Sequence, residues 1–467
     1  MMDSDANIHP ERTMSKVVGL YQTLLRRALE HFFPDSTLDL GGDRSFILVD
    51  DEPGQGHFRF ADDPDGIGVE IEWLRTRYFL LPGSPNPFLP SERSLLKSIV
   101  RLLDLRFRSL TEPVGVDQFD LFHFAVEDMI LADYLGCREP TRLASALEAM
   151  RVAALSTYEN RRVSSGVLLM GTHGDPAFPG WINYDGAPRF NARLTAIKGF
   201  HRLCDGVNTV FLVDLQGELE RTIDVRRWAD RAFGAAELPA PCPRAYQAHA
   251  KATLAGGNLC VVLTPSQEIK VFSSGTLAFS FSDARWRLMD LPARFGAWCE
   301  AVGNSTPKDL ASIIFHAALN LAEARTGAMF VVLRDPARSV PELIAPSDRI
   351  LEDRIADDPA DPDNLSPRLA KQVLHHVVRG QTIAEVDPTV LECIASIDGA
   401  VVVDTEGHLI TFGAILRMSP ETLKIARAVE GARTLASLGT SFHGPVLKVS
   451  EDGFISMYLG GRRIWEM

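Results

Sequence analysis

Asp398-Gly399-Ala400-Val401-Val402-Val403-Asp404-Thr405-Glu406-Gly407 is the stretch on which the reading of the chain turns. Asp-Gly marks a tight turn, because glycine tolerates positive φ and a short carboxylate bonds nearby amides. The apolar run Val401 to Val403 suits a buried strand, and Asp404-Thr405-Glu406-Gly407 carries the turn formers that end it. Further on, Ser419-Pro420-Glu421 offers a capping hydroxyl, a residue tolerated in the first helical turn and a carboxylate suited to the positive dipole end. It predicts a helix start, and Gly431-Ala432-Arg433 interrupts that helix. Val446 to Val449 and Ile455 to Tyr458 predict a hairpin joined by Ser450-Glu451-Asp452-Gly453.

Upstream, the same signals recur in the same order. Ala153-Ala154-Leu155, Glu159, Arg161 and Gly166 precede an apolar run from Val167 to Met170, as Ala317-Ala318-Leu319, Glu323, Arg325 and Gly327 precede Met329 to Leu333. Cys204-Asp205-Gly206 leads to Phe211-Leu212-Val213-Asp214-Leu215-Gln216-Gly217, matching Asp398-Gly399 and the Val403-Asp404-Thr405-Glu406-Gly407 turn. Thr253-Leu254-Ala255 matches Thr434-Leu435-Ala436, and Ser266-Gln267-Glu268 matches Ser450-Glu451-Asp452. A single match of this kind is generic, but an ordered series predicts a tandem duplication. At the position of Arg433 the first copy has Ala252, with Lys251 beside it. Asp283 to Ala301, with Trp286 and Trp298, reads as an amphipathic connection between the copies.

The 467 residues carry 61 acidic against 48 basic side chains, a formal charge of -13, and are 46% hydrophobic. That length predicts more than one core. The negative balance argues against general nucleic-acid binding, which needs clustered Lys and Arg. Six cysteines without a C-x-x-C pair fit reduced buried thiols rather than a disulfide framework or zinc site, so the expected compartment is the cytoplasm. Neither a signal segment nor a run long enough to span a membrane is expected. In the N-terminal 140 residues, Leu20, Leu24, Leu25, Leu29 and Phe32 have helical spacing, Phe58 to Leu81 reads as short strands, and Leu95, Ile99, Leu102 and Leu103 mark an amphipathic helix. Its Lys97 and Arg101 are read as a solvated face, and Glu127, Asp128 and Asp133 as surface acids. The second copy opens at the Thr306-Pro307 helix start, and Ser366-Pro367 opens a helix with the adjacent His375 and His376. Neighbouring helical residues point about 100° apart, so a shared metal on those two histidines is disfavoured.

The Asp-Gly-Ala, Gly-x-Arg and Ser-Glu order resembles the diadenylate cyclase (DAC) domain of the DNA integrity scanning protein and its relatives, over roughly residues 305 to 467. Family members carry Asp-Gly-Ala and Gly-Thr-Arg-His-Arg-Ala-Ala. Here the first motif is intact, and the second reads Gly431-Ala432-Arg433-Thr434-Leu435-Ala436-Ser437. The departures resemble the degenerate, sensor-type variants of this domain, the DACNV group. The resemblance implies an α/β chain of tandem DAC-like domains, each a mixed central sheet flanked by helices. Residues 1–140 would form an α+β domain, 141–300 a degenerate first copy and 301–467 a second copy holding the Asp-Gly-Ala motif.

From the same resemblance, Asp398 and Arg433 are the expected catalytic residues. Gly399, Ala400, Gly413, Ala414, Leu416, Gly431, Arg433 and Glu451 are expected to meet nucleotide, and Asp398 and Glu451 to hold metal. Joining two ATP molecules to cyclic di-AMP uses a carboxylate-held Mg2+ or Mn2+ to activate a 3'-hydroxyl and cationic donors at the phosphates. Thr434 and Leu435 replace an imidazole and a guanidinium, which favours recognition of ATP or a cyclic dinucleotide over its conversion. The readings set against each other are therefore a nucleotide sensor, an active cyclase and a module without ligand. The paired domains of the family imply either an intramolecular contact between the two copies or a homo-oligomer.

Overall fold

A computed structural model describes residues 10–40, 47–50, 58–62, 67–83, 86–111, 118–172, 175–178, 186–197, 199–303, 308–350, 374–418 and 431–467. The Ser419-Pro420-Glu421, Thr306-Pro307 and Ser366-Pro367 helix starts lie outside the described residues. Two compact units divide the chain, Met1–Glu237 with Ala248–Asp290, and Leu238–Gln247 with Leu291–Met467. Among the described residues no helix is long and apolar enough to cross a membrane.

In the first unit the helix Pro10–Phe32 buries Leu25, Leu29 and Phe32 on one stripe, as their spacing requires, while Leu20 is exposed. Five antiparallel strands follow: β1 (Thr37–Leu40), β2 (Ile47–Asp50), β3 (Phe58–Asp62), β4 (Val69–Trp73) and β5 (Thr76–Leu81), in sheet order β1-β5-β4-β3-β2. The helix Pro90–Thr111 buries Leu95, Ile99, Leu102 and Leu103, and its exposed Arg101 pairs with Asp133. Asp128 corrects the expectation of surface acids. It is fully buried and held by Nη1 and Nη2 of Arg151, an arrangement that lets a carboxylate enter the core.

After a short ladder, β6 (Thr157–Tyr158) and β7 (Arg161–Arg162), comes a seven-stranded mixed sheet. Its strands are β8 (Ser165–Leu169), β9 (Thr209–Val213), β10 (Leu219–Asp224), β11 (Leu259–Leu263), β12 (Ile269–Ser273), β13 (Thr276–Ser282) and β14 (Arg285–Leu288), in order β10-β9-β8-β11-β12-β13-β14. One hydrophobic core runs from Tyr21 through the helix Pro140–Ala154 to Leu288, so the N-terminal elements and this sheet share their buried surface. Trp286 lies in β14 and Trp298 in the helix Leu291–Val302. The expected single connection is therefore an edge strand of one unit followed by a helix of the other.

The second unit holds a six-stranded mixed sheet of β15 (Ala328–Leu333), β16 (Ala400–Asp404), β17 (Leu409–Ala414), β18 (Val446–Val449), β19 (Ile455–Leu459) and β20 (Arg462–Glu466), in order β17-β16-β15-β18-β19-β20. The helices Lys308–Glu323, Pro388–Ala395 and Ala432–Thr440 accompany it. All six residues of β15 are buried, as a central strand covered on both faces requires.

The two mixed sheets share strand directions and register. Val167 of β8 pairs in parallel with Phe211 and antiparallel with Val261, which pairs on with Val271. Phe330 of β15 does the same with Val401, Leu447 and Met457. Asp214 and Asp404 close the same turn, each carboxylate accepting from the amides two and four residues on. Thr264 and Ser450 do likewise, their amides donating to the carbonyls of Glu268 and Phe454.

This register corrects three finer pairings expected from sequence. Counting from Thr264 and Ser450, Pro265 stands opposite Glu451, so the first sheet has no acid there. Counting back from Phe211 and Val401, Asn208 stands opposite Asp398, and Asp205 lies three residues earlier. Thr253-Leu254-Ala255 follows the end of the helix Gln247–Ala252, whereas Thr434-Leu435-Ala436 lies inside the helix Ala432–Thr440. Local composition matched at these places while the backbone did not.

Candidate functional site

Parallel β15 and β16 begin at the end of the sheet where antiparallel β17 and β18 finish, since Ala328 pairs with Val449 and Ala400 with Ala414. The segments carrying Gly327, Asp398, Gly413 and Glu451 therefore emerge together. Gly431 has φ of 95° and opens the helix Ala432–Thr440, which brings Arg433 to the same end. Arg433 donates from Nη1 to Glu451 Oε1 at 2.8 Å, and its Nη2 lies 3.5 Å from Asp398 Oδ1. Three of the expected site residues, 35 and 18 positions apart, are thus brought into one cluster. Asp398 has 90% of its side chain exposed and Glu451 71%, so these pairs are each worth about 0–1 kcal/mol and are readily exchanged for another anion.

The expected nucleotide-facing residues divide by what they bury. Ala400, Ala414 and Leu416 point into the core beside Met329, Val331 and Val402, leaving only their backbone for a ligand. Gly399 has φ of 119°, and a Cβ there would stand 2.4 Å from the Gly413 carbonyl carbon. Its glycine is required by this close approach of backbones, before any ligand is considered. Gly399→Ala is expected to destabilise the second unit by about 1–3 kcal/mol from backbone strain, with the overlap adding to it. Chemical denaturation checks this, and an unchanged midpoint would refute it.

Gly327 is read from sequence only as the glycine before a strand and Lys448 only as part of a hairpin strand, and neither is expected at the site. A Cβ at Gly327 would come within 2.2 Å of Arg433 Nη1, so this glycine leaves room for the guanidinium. Lys448 lies in β18, all of whose residues are buried, and its Nζ donates to Thr434 Oγ1 at 3.0 Å. Burial lowers its pKa, Glu466 opposes that shift, and the positive fields of Arg463 and Arg433 add to it. A lysine inside the apolar run Val446-Leu447-Lys448-Val449 was the available signal.

Two carboxylates share one guanidinium here, and among the described residues no three His, Cys, Asp or Glu side chains converge on a metal position. Such a donor set fits a Mg2+ or Mn2+ ion that arrives with ligand phosphates rather than a resident ion held by protein alone. The buried His375 places Nε2 3.0 Å from the Phe412 carbonyl and its ring edge-on to Phe412, whereas His376 is exposed. They are not joint ligands.

Asp205, in the first unit, is engaged differently. Its carboxylate accepts from the amides of Val207, Asn208 and Thr209 and from Asn208 Nδ2. Burial opposes its ionised form, and these hydrogen bonds outweigh burial to bring its pKa down to about 2. The fully buried His249 places Nε2 3.0 Å from the Gly206 carbonyl, and burial lowers its pKa to about 4. Because the folded value lies below the unfolded 6.5, the stability it contributes is complete above pH 6.5 and is lost as pH falls toward 4. Its share of the loss should reach about 3 kcal/mol at pH 4. Comparing the pH dependence of unfolding of His249→Gln with that of the parent isolates this share, and parallel curves would refute it.

Residues 315–463 match the family model described as DAC, DisA bacterial checkpoint controller nucleotide-binding. This segment is a DAC-family domain. The hypothetical membrane spanning protein from Bacillus cereus is a similar solved structure, with 22% identity, a TM-score of 0.25 and coverage of 37% of this chain and 71% of that one. A double mutant of DacA from Staphylococcus aureus is 19% identical, with a TM-score of 0.21 and coverage of 33% and 86%. No curated protein matches. The DAC-family segment contains every residue of the cluster around Arg433, from Gly327 to Glu451.

Proposed function

We propose that the chain is a nucleotide-binding sensor in which the DAC-family domain binds ATP or a cyclic dinucleotide and converts it poorly. The observation that carries this reading is the guanidinium of Arg433, held between Asp398 and Glu451 at the opening of a helix. The first amides of a helix lack partners within the helix itself, and this helix opens at the same end as Arg433, so they can add to an anion site. Chemistry would need more cationic donors, and Thr434 and Leu435 stand where the family motif has two of them. Asp398, aided by Glu451, would hold a Mg2+ or Mn2+ ion entering with the nucleotide, and that ion would neutralise charge on the phosphates.

We further infer that the two mixed sheets descend from one duplicated domain, given the shared register across four strands. The first copy lacks the site. Its Asp205 is spent on its own loop, Pro265 occupies the position of Glu451, and Lys251 pairs with Asp230 at 2.6 Å. Residues 1–140 would then support the first copy rather than bind ligand, in a cytoplasmic protein without general nucleic-acid or membrane partners. The domain pairing of the resembled family would be met within the chain or by a second chain. Calorimetric titration with ATP and with cyclic di-AMP, in the presence of Mg2+, tests the reading. One saturable site per chain supports it, and heats no larger than dilution overturn it.

A further inference from the structure

We propose that Lys448 is a second phosphate-binding cation of the DAC-family domain, supplied from a neighbouring strand in place of the cationic groups missing at Thr434 and Leu435. This rests on the nucleotide-binding reading and names a residue that the motif does not contain. Lys448 is 9% exposed and sits in a strand whose other residues, Val446, Leu447 and Val449, are wholly buried. Its Nζ donates to Thr434 Oγ1 at 3.0 Å and lies 6.0 Å from the centre of the Tyr458 ring. Neither partner carries a charge. Among the described residues no carboxylate forms an ion pair with it, and Glu466, the acid whose field it feels, pairs with Arg463 at 3.0 Å and accepts from Ser456 at 2.7 Å.

Burying an ammonium on neutral partners is costly unless an anion completes the surroundings. The place where an anion would do so is defined by Thr434, in the first turn of the helix that Gly431 opens. A Cβ at Gly431 would lie 3.7 Å from the same Thr434 hydroxyl that Lys448 bonds. Arg433 is the adjacent residue, and its charge acts on Lys448. An ammonium has three donors, and Thr434 takes one, leaving two for a phosphate oxygen. Arg433 and the Thr434 that holds Lys448 are neighbours in the first turn of one helix, where an anion could draw on both cations and on the first amides.

Titration of the full chain with ATP, with adenosine as the uncharged control, decides the matter. Lys448→Met keeps the length of the side chain and removes its charge, and should weaken ATP binding about ten-fold or more while leaving adenosine unchanged. Lys448→Arg should retain most of the affinity for ATP. Replacing a buried charge by an apolar isostere is expected to be neutral or stabilising, so thermal melting distinguishes a lost contact from a lost fold. Should Lys448→Met fail to fold, Lys448→Gln, which keeps a donor for Thr434, carries the same comparison. A folded, uncharged variant that binds ATP within two-fold of a binding parent overturns the assignment of Lys448 alone. A parent chain that binds no ATP overturns the nucleotide-binding reading itself, and this inference falls with it.

Discussion

Incubated with ATP and Mg2+ or Mn2+, the full chain is expected to form cyclic di-AMP at a rate two to four powers of ten below that of a DAC domain with an intact Gly-Thr-Arg-His-Arg motif. Each charge-assisted hydrogen bond lost from the transition state removes about 1.5–3 kcal/mol, and two are missing. The Leu435 side chain has no donor, and the Thr434 hydroxyl is engaged by Lys448. If Lys448 contacts phosphate as proposed, it assists binding more than chemistry, because uniform binding of substrate and transition state leaves the chemical barrier unchanged. Chromatographic quantitation of product over time is the measurement. Turnover comparable to an intact-motif cyclase would overturn the sensor reading and favour an active enzyme.

Arg433→Ala should weaken binding of any phosphate-bearing ligand by about 1.5–3 kcal/mol, ten-fold to somewhat beyond a hundred-fold. The guanidinium provides planar donors that neither Thr434 nor a helix amide can replace, and its present partners are exposed acids that a phosphate can displace. Lys251→Ala in the first unit should change affinity little, because Lys251 sits near the end of its helix and is paired with Asp230. Titrating both variants side by side gives the comparison. Equal losses in the two, or none in either, would show that the ligand binds elsewhere.

In the proposed site one guanidinium is shared by two exposed carboxylates. Under the proposed function, a nucleotide would replace Asp398 and Glu451 as the partners of Arg433, and both carboxylates would then be free for a metal that comes with the phosphates. Such an exchange costs little at exposed positions, so the closed arrangement is compatible with binding.

Much of this protein was legible in its sequence because the signals involved are local. Val401-Val402-Val403 between two turns could hardly be anything but a buried strand, and Ser450-Glu451-Asp452-Gly453 between two apolar runs specified a hairpin with glycine at the positive φ of 84°. The tertiary structure decided what depends on register and burial. Asp205-Gly206 and Asp398-Gly399 read alike, yet three residues of offset turn one carboxylate onto its own loop and leave the other in solvent beside Arg433. Asp128 read as a surface acid because the arginine that pairs with it lies 23 residues away. Gly327 and Lys448 carry no motif, and they join the site because β15 and β18 are neighbours whose ends meet at the helix beginning with Ala432. A chain order names the residue types available for chemistry, but which of them share a charge is set by strand pairing across long stretches of sequence.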